Sequence, residues 1–270
     1  MSRALATHTM LRPPDAQPER ATRIVPLMVR PHPTGAHPIT KCDHCDSRAH
    51  NVCGAMRVAD LEHLSAIALT LTIPDGHGFI DEGSSAEHFF NVTAGTAKIF
   101  KQLPDGRRLI TGFAGPGHFL GLAHTGSYAF SAEALGDVRL CRYPRDKLRA
   151  LLAEYPAMEA RLLDIASNEL VAAQEQMLLL GRKQAHERLA SFLLSRSAAV
   201  QRDEPEAVVM IDTVALPMSR ADIADFLGLT VETVSRNFSR LRRDGVIGTP
   251  GRAQVTIRDY AALSALAGGA

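Results

Sequence analysis

The spacing of hydrophobic positions divides the chain into three kinds of segment. Between residues 73 and 142, short apolar stretches alternate with glycine-containing turns, which predicts a small antiparallel barrel or jelly roll. Between residues 155 and 180 the apolar positions recur at helical spacing, and Pro156 suits the first turn of a long helix. Residues 219–245 show helical spacing over two shorter stretches, separated by Gly228. The pattern predicts an α+β fold with a strand-rich unit, a long helix and a C-terminal helical unit.

Two other stretches predict helices beside these segments. In residues 58–71, apolar side chains recur at helical spacing, which predicts a short helix before the first strand. Residues 181–194 predict a further helix, with Leu189, Phe192 and Leu193 facing inward. The polar residues 196–207 that follow suit a linker between domains.

In the long helix, two rows of apolar side chains repeat every seven residues. Three heptads of this kind are typical of a coiled-coil seam, and alanines in one row allow a partner helix to approach closely. An amphipathic helix packed on its own domain is the alternative. A symmetric homodimer would bring the rows of two chains together. The predicted interface residues are Leu163, Leu170 and Met177 in one row and Ala166, Ala173 and Leu180 in the other.

Residues 219–245 are typical of a helix-turn-helix. Ser219 can cap the first helix, Gly228 supplies a sharp turn, and Thr230 can cap the second helix. The apolar positions of the second helix are spaced i, i+4, i+7 and face inward, at Val234, Phe238 and Leu241. Its opposite face carries Glu232, Ser235, Arg236, Ser239 and Arg240. An ordinary amphipathic helix pair with a solvated charged face is the alternative to a DNA-reading element.

The polar face of the second helix has the chemistry of base and phosphate recognition. Arginine pairs with the acceptors of guanine, and glutamate accepts from the amino group of cytosine. A recognition helix uses residues near its N-terminal end for this purpose. Arg240, Arg242 and Arg243 form a basic cluster suited to a phosphate backbone. Residues 246–257 predict a strand, a turn and a strand, which form a wing. These features favour double-stranded DNA as a partner.

Three of the four cysteines lie close together in residues 41–53, KCDHCDSRAHNVC. This density favours metal or cluster ligation over disulfides in a reducing compartment. The fourth, Cys141, follows in a predicted strand; alone, it would be interpreted as a small buried side chain. Four thiolates suit zinc or a [4Fe–4S] cluster. His44 and His50 keep zinc open as an alternative. The candidate ligands are Cys42, Cys45, Cys53 and Cys141.

Composition limits the compartment and the partners. The chain has 270 residues, enough for two domains, and a formal net charge of +1. No apolar run is long enough to span a bilayer, and no apolar core of a signal peptide follows the N-terminus. We therefore expect a cytoplasmic protein without a membrane partner. Residues 1–40 are rich in Pro, Arg and His and predict a disordered arm.

The run LGLTVETVSR, with SRADIADF upstream, resembles the DNA-reading element of the CRP–FNR family of bacterial transcription regulators. The resemblance extends over roughly residues 41–267. It implies a double-stranded β-roll shared with cyclic-nucleotide-binding domains, a palindromic site with TTGAT-type half-sites, and contact with RNA polymerase. Glu232 and Arg236 match base-reading positions, and Val231 and Ser235 resemble the oxygen-responsive branch. The predicted DNA contacts are Ser219, Arg220, Thr230, Val231, Glu232, Ser235, Arg236 and Arg240.

In the oxygen-responsive branch, three N-terminal cysteines and one from the sensory domain hold a [4Fe–4S] cluster, and the four cysteines here resemble that arrangement.

The phosphate-binding segment of the cyclic-nucleotide branch has an arginine next to a serine. The matching residues 115–135 contain no arginine, so a phosphate would lack its bidentate partner. We therefore expect no cyclic nucleotide.

Together these observations predict five segments and one function. The segments are a disordered arm (1–40), a cysteine-rich loop (41–56), a β-roll sensory domain (57–153), a dimerisation helix region (154–198) and a winged helix-turn-helix (199–270). The predicted function is non-enzymatic: an oxygen-sensing, DNA-binding activator that works as a dimer. Alternatives are a regulator that responds to thiol redox state or nitric oxide, or one with structural zinc. An iron–sulfur electron-transfer protein is more remote, because no flavin or nicotinamide motif is recognisable.

Overall fold

A computed structural model describes Cys42, Cys45 and residues 47–122, 126–203, 213–251 and 253–268. The predicted arm and His44 lie outside the described residues. All the described residues belong to one compact unit, Ala36–Ala270. Within the described residues, no helix is long and apolar enough to cross a membrane.

The strand-rich unit is an antiparallel β-roll, as expected. Its strand order is β1-β6-β3-β4, with β2 paired to β6 and β5 paired to β3. Gly95 has a φ of 83° at a bulge in β3, and a Cβ there would collide with the carbonyl oxygen of Asp137. The strands are β1 (Leu69–Ile73), β2 (Gly78–Ile80), β3 (His88–Gln102), β4 (Arg108–Ala114), β5 (Phe119–Leu120) and β6 (Ser131–Pro144).

The helix expected over residues 58–71 is shorter than predicted. Helix α1 covers Leu61–Ile67 after a 3-10 turn, Val58–Asp60. Residues 69–73 instead form β1, because their sequence LTLTI alternates and buries Leu71 and Ile73 at a spacing of two. The short apolar run is compatible with both helical spacing and the two-residue spacing of a strand. Pairing with β6 makes it a strand.

Three helices follow the roll: α2 (Arg145–Glu154), α3 (Pro156–Arg182) and α4 (Ala185–Asp203). Helix α3 is the long helix, and Pro156 occupies its first turn as predicted. Helix α4 continues beyond residue 194 through part of the expected linker. Its inward residues Leu189, Phe192 and Leu193 pack into the C-terminal core. The boundary expected at residue 199 therefore falls inside a helix that belongs with the C-terminal unit.

The C-terminal unit combines a helix pair with a three-stranded sheet of order β7-β9-β8. Strands β8 and β9 form the predicted wing. Asp259 caps the last helix by accepting from the backbone N–H of Ala262 at 2.8 Å. The elements are β7 (Thr213–Ala215), α5 (Arg220–Leu227), α6 (Val231–Arg243), β8 (Ile247–Gly251), β9 (Gln254–Ile257) and α7 (Tyr260–Leu266).

Candidate nucleic-acid interface and cysteine site

The two helices of the C-terminal pair begin and end where their capping residues predict. The Ser219 hydroxyl accepts from the backbone N–H of Asp222 at 3.1 Å, and the Asp222 carboxylate accepts from the backbone N–H of Ser219 at 2.9 Å. This reciprocal pair is a capping box. Helix α5 ends at Gly228, whose φ of 60° is left-handed. Thr230 then caps α6 by accepting from the backbone N–H of Thr233 at 3.2 Å.

Helix α6 separates its apolar and polar residues as the sequence predicts. The side chains of Val234, Phe238 and Leu241 are buried in the C-terminal core. The opposite surface, here called the recognition face, brings together most of the predicted base and phosphate contacts. Val231, at the N-terminal end of α6 beside Thr230, is 41% exposed. The remaining exposed members of the recognition face are Glu232, Ser235, Arg236, Ser239 and Arg240.

The electrostatics of the recognition face keep its acidic member ionised. A hydrogen bond from its own backbone N–H, one from the Thr230 hydroxyl and the charge of Arg236 lower the pKa of Glu232. The Arg236 guanidinium donates to the Thr233 hydroxyl at 3.3 Å. An acceptor-only carboxylate and a donor-only guanidinium therefore lie side by side, as base-edge readout requires.

Two predicted contacts, Ser219 and Arg220, lie at the edge of the recognition face. The Arg220 guanidinium carbon lies 3.2 Å from the ring centroid of Phe238, and burial lowers the pKa of this arginine. Arg220 also lines a shallow groove with Ser235 and the wing residue Thr249. The Ser219 hydroxyl donates to the Asp222 carboxylate at 2.6 Å, so it is already engaged within the capping box.

We expect Arg236→Ala and Arg240→Ala to weaken operator binding in different ways. Loss of a base-reading guanidinium should cost about 1–3 kcal/mol and relax specificity at one base pair. Arg240 lies farther along the helix and pairs loosely with Asp244 at 3.6 Å. Arg240→Ala should weaken binding to all sequences and reduce the salt slope by about one. Affinity measured over a salt series for the palindrome and for a base-substituted duplex distinguishes the two. Equal losses on both duplexes for Arg236→Ala would rule out its base-reading role.

The four cysteines come from two separate parts of the fold. Cys42 and Cys45 precede two 3-10 turns, Arg48–His50 and Val52–Ala55, and the second of these contains Cys53. Cys141 lies on β6, paired with Thr70 on one side and Asn91 on the other. None of the four is in a disulfide. Cys53 is buried and the other three are half-buried, so the sulfurs are largely removed from solvent.

The thiols are close enough to affect one another's ionisation. Burial first, and then the neighbouring Cys45, Cys42 and Cys141, raise the pKa of Cys53 to about 12. Burial likewise raises the pKa of Cys141, with Cys45 and Cys42 adding to the shift. Four thiolates at this site therefore need a positive charge among them, which a metal centre would supply.

The lining of the cysteine site is polar as well as buried. Asn51 and Asn91 are at most 1% exposed, and the amide oxygen of each lacks a hydrogen-bond partner among the described residues. Asn91 is the cross-strand neighbour of Cys141, so the two side chains share a face of the sheet. Unsatisfied buried polar atoms are rare in native cores, so these two oxygens are candidates to face a bound group.

The cysteines, as the structure describes them, are not already gathered around a single metal ion. Among Cys42, Cys45 and the described residues from 47 onward, no three His, Cys, Asp or Glu side chains are placed to hold one metal ion. A tetrahedral zinc ion draws its thiolates around a single atom at about 2.3 Å. A four-iron cluster binds one thiolate at each of four separate iron atoms and so spaces the sulfurs more widely. The donor set is all sulfur, which suits a four-iron cluster and a tetrahedral zinc ion alike.

Helix α3 exposes the apolar row that the heptad repeat predicts. Leu163, Leu170 and Met177 are 67%, 60% and 64% exposed. In the second row, Ala173 is exposed and Ala166 is half-buried. An exposed apolar stripe of this length indicates a protein partner. Sequence reasoning missed Val171 and Leu178, which are also more than half exposed and widen the stripe.

Leu180 differs from the expectation for the dimer seam. It is half-buried and packs against the core of the C-terminal unit, close to Gly228. The reason is that α3 ends at Arg182, where the chain turns into α4 and brings the C-terminal unit against the last turn of α3. The heptad pattern alone does not show that this last position meets the chain's own fold.

The comparisons with known proteins agree with this architecture. The family model of the Crp-like helix-turn-helix domain matches residues 187–266, and that of the cyclic nucleotide-binding domain matches residues 70–155. The chain is similar to the "Transcriptional activatory protein AadR" of Rhodopseudomonas palustris, with 41% identity over 218 residues, 78% of this chain and 90% of that protein. It is 38% identical over 226 residues to the "Nitrogen fixation regulation protein FixK" of Bradyrhizobium diazoefficiens, 84% of this chain and 93% of that protein.

Among solved structures, FixK2 from Bradyrhizobium japonicum matches with a TM-score of 0.67 and 36% sequence identity, over 74% of this chain and 97% of that chain. A β-roll joined to a winged helix-turn-helix defines a class of bacterial transcription regulators. Given these matches, the chain belongs to the CRP–FNR family of transcription regulators.

Proposed function

We propose that the protein is an oxygen-responsive transcription activator that holds a [4Fe–4S] cluster with Cys42, Cys45, Cys53 and Cys141. The supporting observation is the meeting of four cysteines from two distant segments in one largely buried site. When bound, the cluster would supply an oxygen-labile link between these segments. Structural zinc, which also accepts four thiolates, is the alternative. A thiol-redox sensor fits the burial of Cys53 less well, because reactive cysteines are accessible.

The cysteine loop is positioned to act on the dimerisation helix. Val52 and Cys53 share a buried cluster with Met158 and Ile165 of α3. The Arg161 guanidinium of α3 donates to the carbonyl oxygen of His50 at 3.4 Å. A loop tied to Cys141 would therefore hold the first half of α3 in place on the roll. That half carries Leu163, so order in the loop favours the dimer.

The proposed DNA target is a palindrome with TTGAT-type half-sites, read by Glu232 and Arg236 of each subunit. A dimer presents two recognition faces about one helical turn apart, which matches the symmetry of a palindrome. The short polar side chain of Ser235 lies on the same exposed face as the two readers. Activation at a promoter also calls for contact with RNA polymerase, which we propose as a further partner.

We propose that the β-roll is used without a cyclic nucleotide. The segment that would hold the phosphate contains no arginine. Arg145, which approaches this segment from α2, donates instead to the carbonyl oxygens of Ala86 and Gly121. Its guanidinium also lies 4.2 Å from the ring centroid of Phe89. Arg145 is thus used to brace the roll, not to bind an anion.

The test is anaerobic purification followed by a pulse of air. We expect a brown protein with about four iron and four sulfide per chain, and tight binding to a duplex with two TTGAT half-sites. Air should bleach the colour and lower operator affinity together. Stoichiometric zinc and colourless, air-insensitive binding would overturn the cluster. Affinity that changes only with thiol oxidants would favour the thiol-redox alternative.

A further inference from the structure

A buried ion pair joins the β-roll to the DNA-reading unit. Lys98 on β3 is 6% exposed and Asp222 on α5 is 5% exposed. The Lys98 ammonium lies 3.3 Å from the Asp222 carboxylate, although 124 residues separate them along the chain. Glu133, opposite Lys98 on β6, approaches the same ammonium at 2.7 Å. One lysine of the roll is therefore held between an acid of its own sheet and an acid of the helix pair.

A second cation strengthens the same contact. The Arg108 guanidinium, from β4, donates to Asp225 at 2.6 Å and to Asp222 at 3.4 Å. Asp225 lies on α5, one turn after Asp222. Two positive side chains of the roll thus face two aspartates on the first helix of the reading pair. We call these four residues the latch: Lys98, Arg108, Asp222 and Asp225.

The latch is anchored firmly on the helix side. Asp222 is also the capping-box residue of α5, so its carboxylate is oriented by two hydrogen bonds from Ser219. Burial alone would raise the pKa of Asp222, but the hydrogen bonds from Ser219 and the charge of Lys98 outweigh it and lower that pKa. The carboxylate is therefore charged at neutral pH, and removing Lys98 would leave a buried charge without its main partner.

We propose that Lys98 and Arg108 are positioning residues for DNA reading, which dock α5 on the roll and so fix the direction in which the recognition face of α6 points. Neither residue belongs to the recognition face. A buried, charge-matched contact defines one orientation more narrowly than an apolar contact does. A palindrome is read by two such units at a set spacing, so a loose unit in each subunit weakens binding. The inference goes beyond the proposed function and holds whatever the cysteines bind.

The test is Lys98→Met, with Lys101→Met as the matched control. Lys101 lies on the same strand and pairs with Glu82 at 2.8 Å, but it is 55% exposed and far less constrained. Anisotropy titrations would use anaerobic full-length dimer and a duplex with two TTGAT half-sites. We expect Lys98→Met to bind at least about tenfold more weakly with an unchanged salt slope, and Lys101→Met to bind like the parent. A reduced salt slope for Lys98→Met would mean that Lys98 touches phosphate and would overturn the proposal.

Rescue distinguishes positioning from general damage to the fold. Lys98→Arg keeps the charge and should retain most of the affinity. Arg108→Asp and Asp225→Arg should each weaken binding, and the double variant should recover it, because these partners are half-exposed and can exchange places. Should Lys98→Met fail to fold, this exchange carries the test alone. Single variants that bind like the parent, or a double variant no better than the singles, would overturn the latch.

A second measurement does not use DNA. The roll and the C-terminal unit of the parent and of Lys101→Met should unfold in one calorimetric transition. In Lys98→Met the transition should split into two, because the buried contact between the units is lost. A single transition at the parent temperature would contradict the latch. The titrations compare proteins of matched iron content, and the calorimetric comparison does not depend on the cluster, so the latch and the cluster can each fail without the other.

Discussion

A Cys42→Ser, Cys141→Ser variant is expected to lose operator binding in the absence of air, by about a hundredfold relative to the parent. The two substitutions remove one proposed ligand from the loop and the only one from β6, so the link between them cannot form. Serine is close to cysteine in size, and both side chains are half-buried, so the fold should survive. The loop would then release its hold on Met158 and Ile165 at the start of α3.

The measurement is affinity for the palindromic duplex under strict anaerobiosis, with sedimentation to follow the dimer. A control joins two copies of the doubly substituted chain through a flexible linker. If the cysteines act through dimerisation, the joined chain should recover much of the lost affinity, because the linker raises the effective concentration of the second copy. A Cys42→Ser, Cys141→Ser variant that occupies the duplex as tightly as the parent would refute the proposed switch.

The local parts of this molecule could be predicted from the sequence because they depend on short-range spacing. The helix pair is defined by caps at Ser219, Gly228 and Thr230, each of which forms the expected backbone hydrogen bonds or left-handed turn. The apolar face of α6 follows from a spacing of three and four residues. The cysteine triplet stands out by density alone, although its ligand is still a proposal.

Other features depend on contacts between residues far apart in the chain. The sequence predicts helix up to residue 71, whereas β1 begins at residue 69, because a short apolar run satisfies either period until β6 pairs with it. The sequence predicts a helix that ends at residue 194, whereas α4 continues to Asp203, because the polar end of this helix resembles a linker. The contact of Lys98 with Asp222 gives no signal in the sequence at all. A lysine in a strand is ordinarily interpreted as solvent-facing, and only the packing of α5 on the roll buries it.

Leu170→Asp is expected to convert the protein into a monomer and to reduce operator affinity by about a hundredfold or more. Leu170 is 60% exposed at the centre of the apolar stripe on α3. Burying a leucine contributes about 1.5–3 kcal/mol, and a symmetric dimer loses that contribution twice. The two introduced carboxylates would also face each other across the seam, where like charges repel. A monomer can contact only one half-site and loses the gain from simultaneous engagement of both.

The matched control is Asn168→Asp, which adds the same charge to the same helix. Asn168 is exposed and lies nearly opposite Leu170 around the helix axis, because two residues turn an α-helix by about 200°. It should leave both the dimer and the affinity unchanged. Sedimentation velocity and titration of the palindromic duplex measure the two effects in parallel. If Leu170→Asp remained dimeric and bound normally, the exposed stripe would not be the subunit interface, and the route from the cysteine loop through α3 to the DNA would have to run elsewhere. If it became monomeric yet kept its affinity, dimerisation would not be the step that the cysteine loop controls.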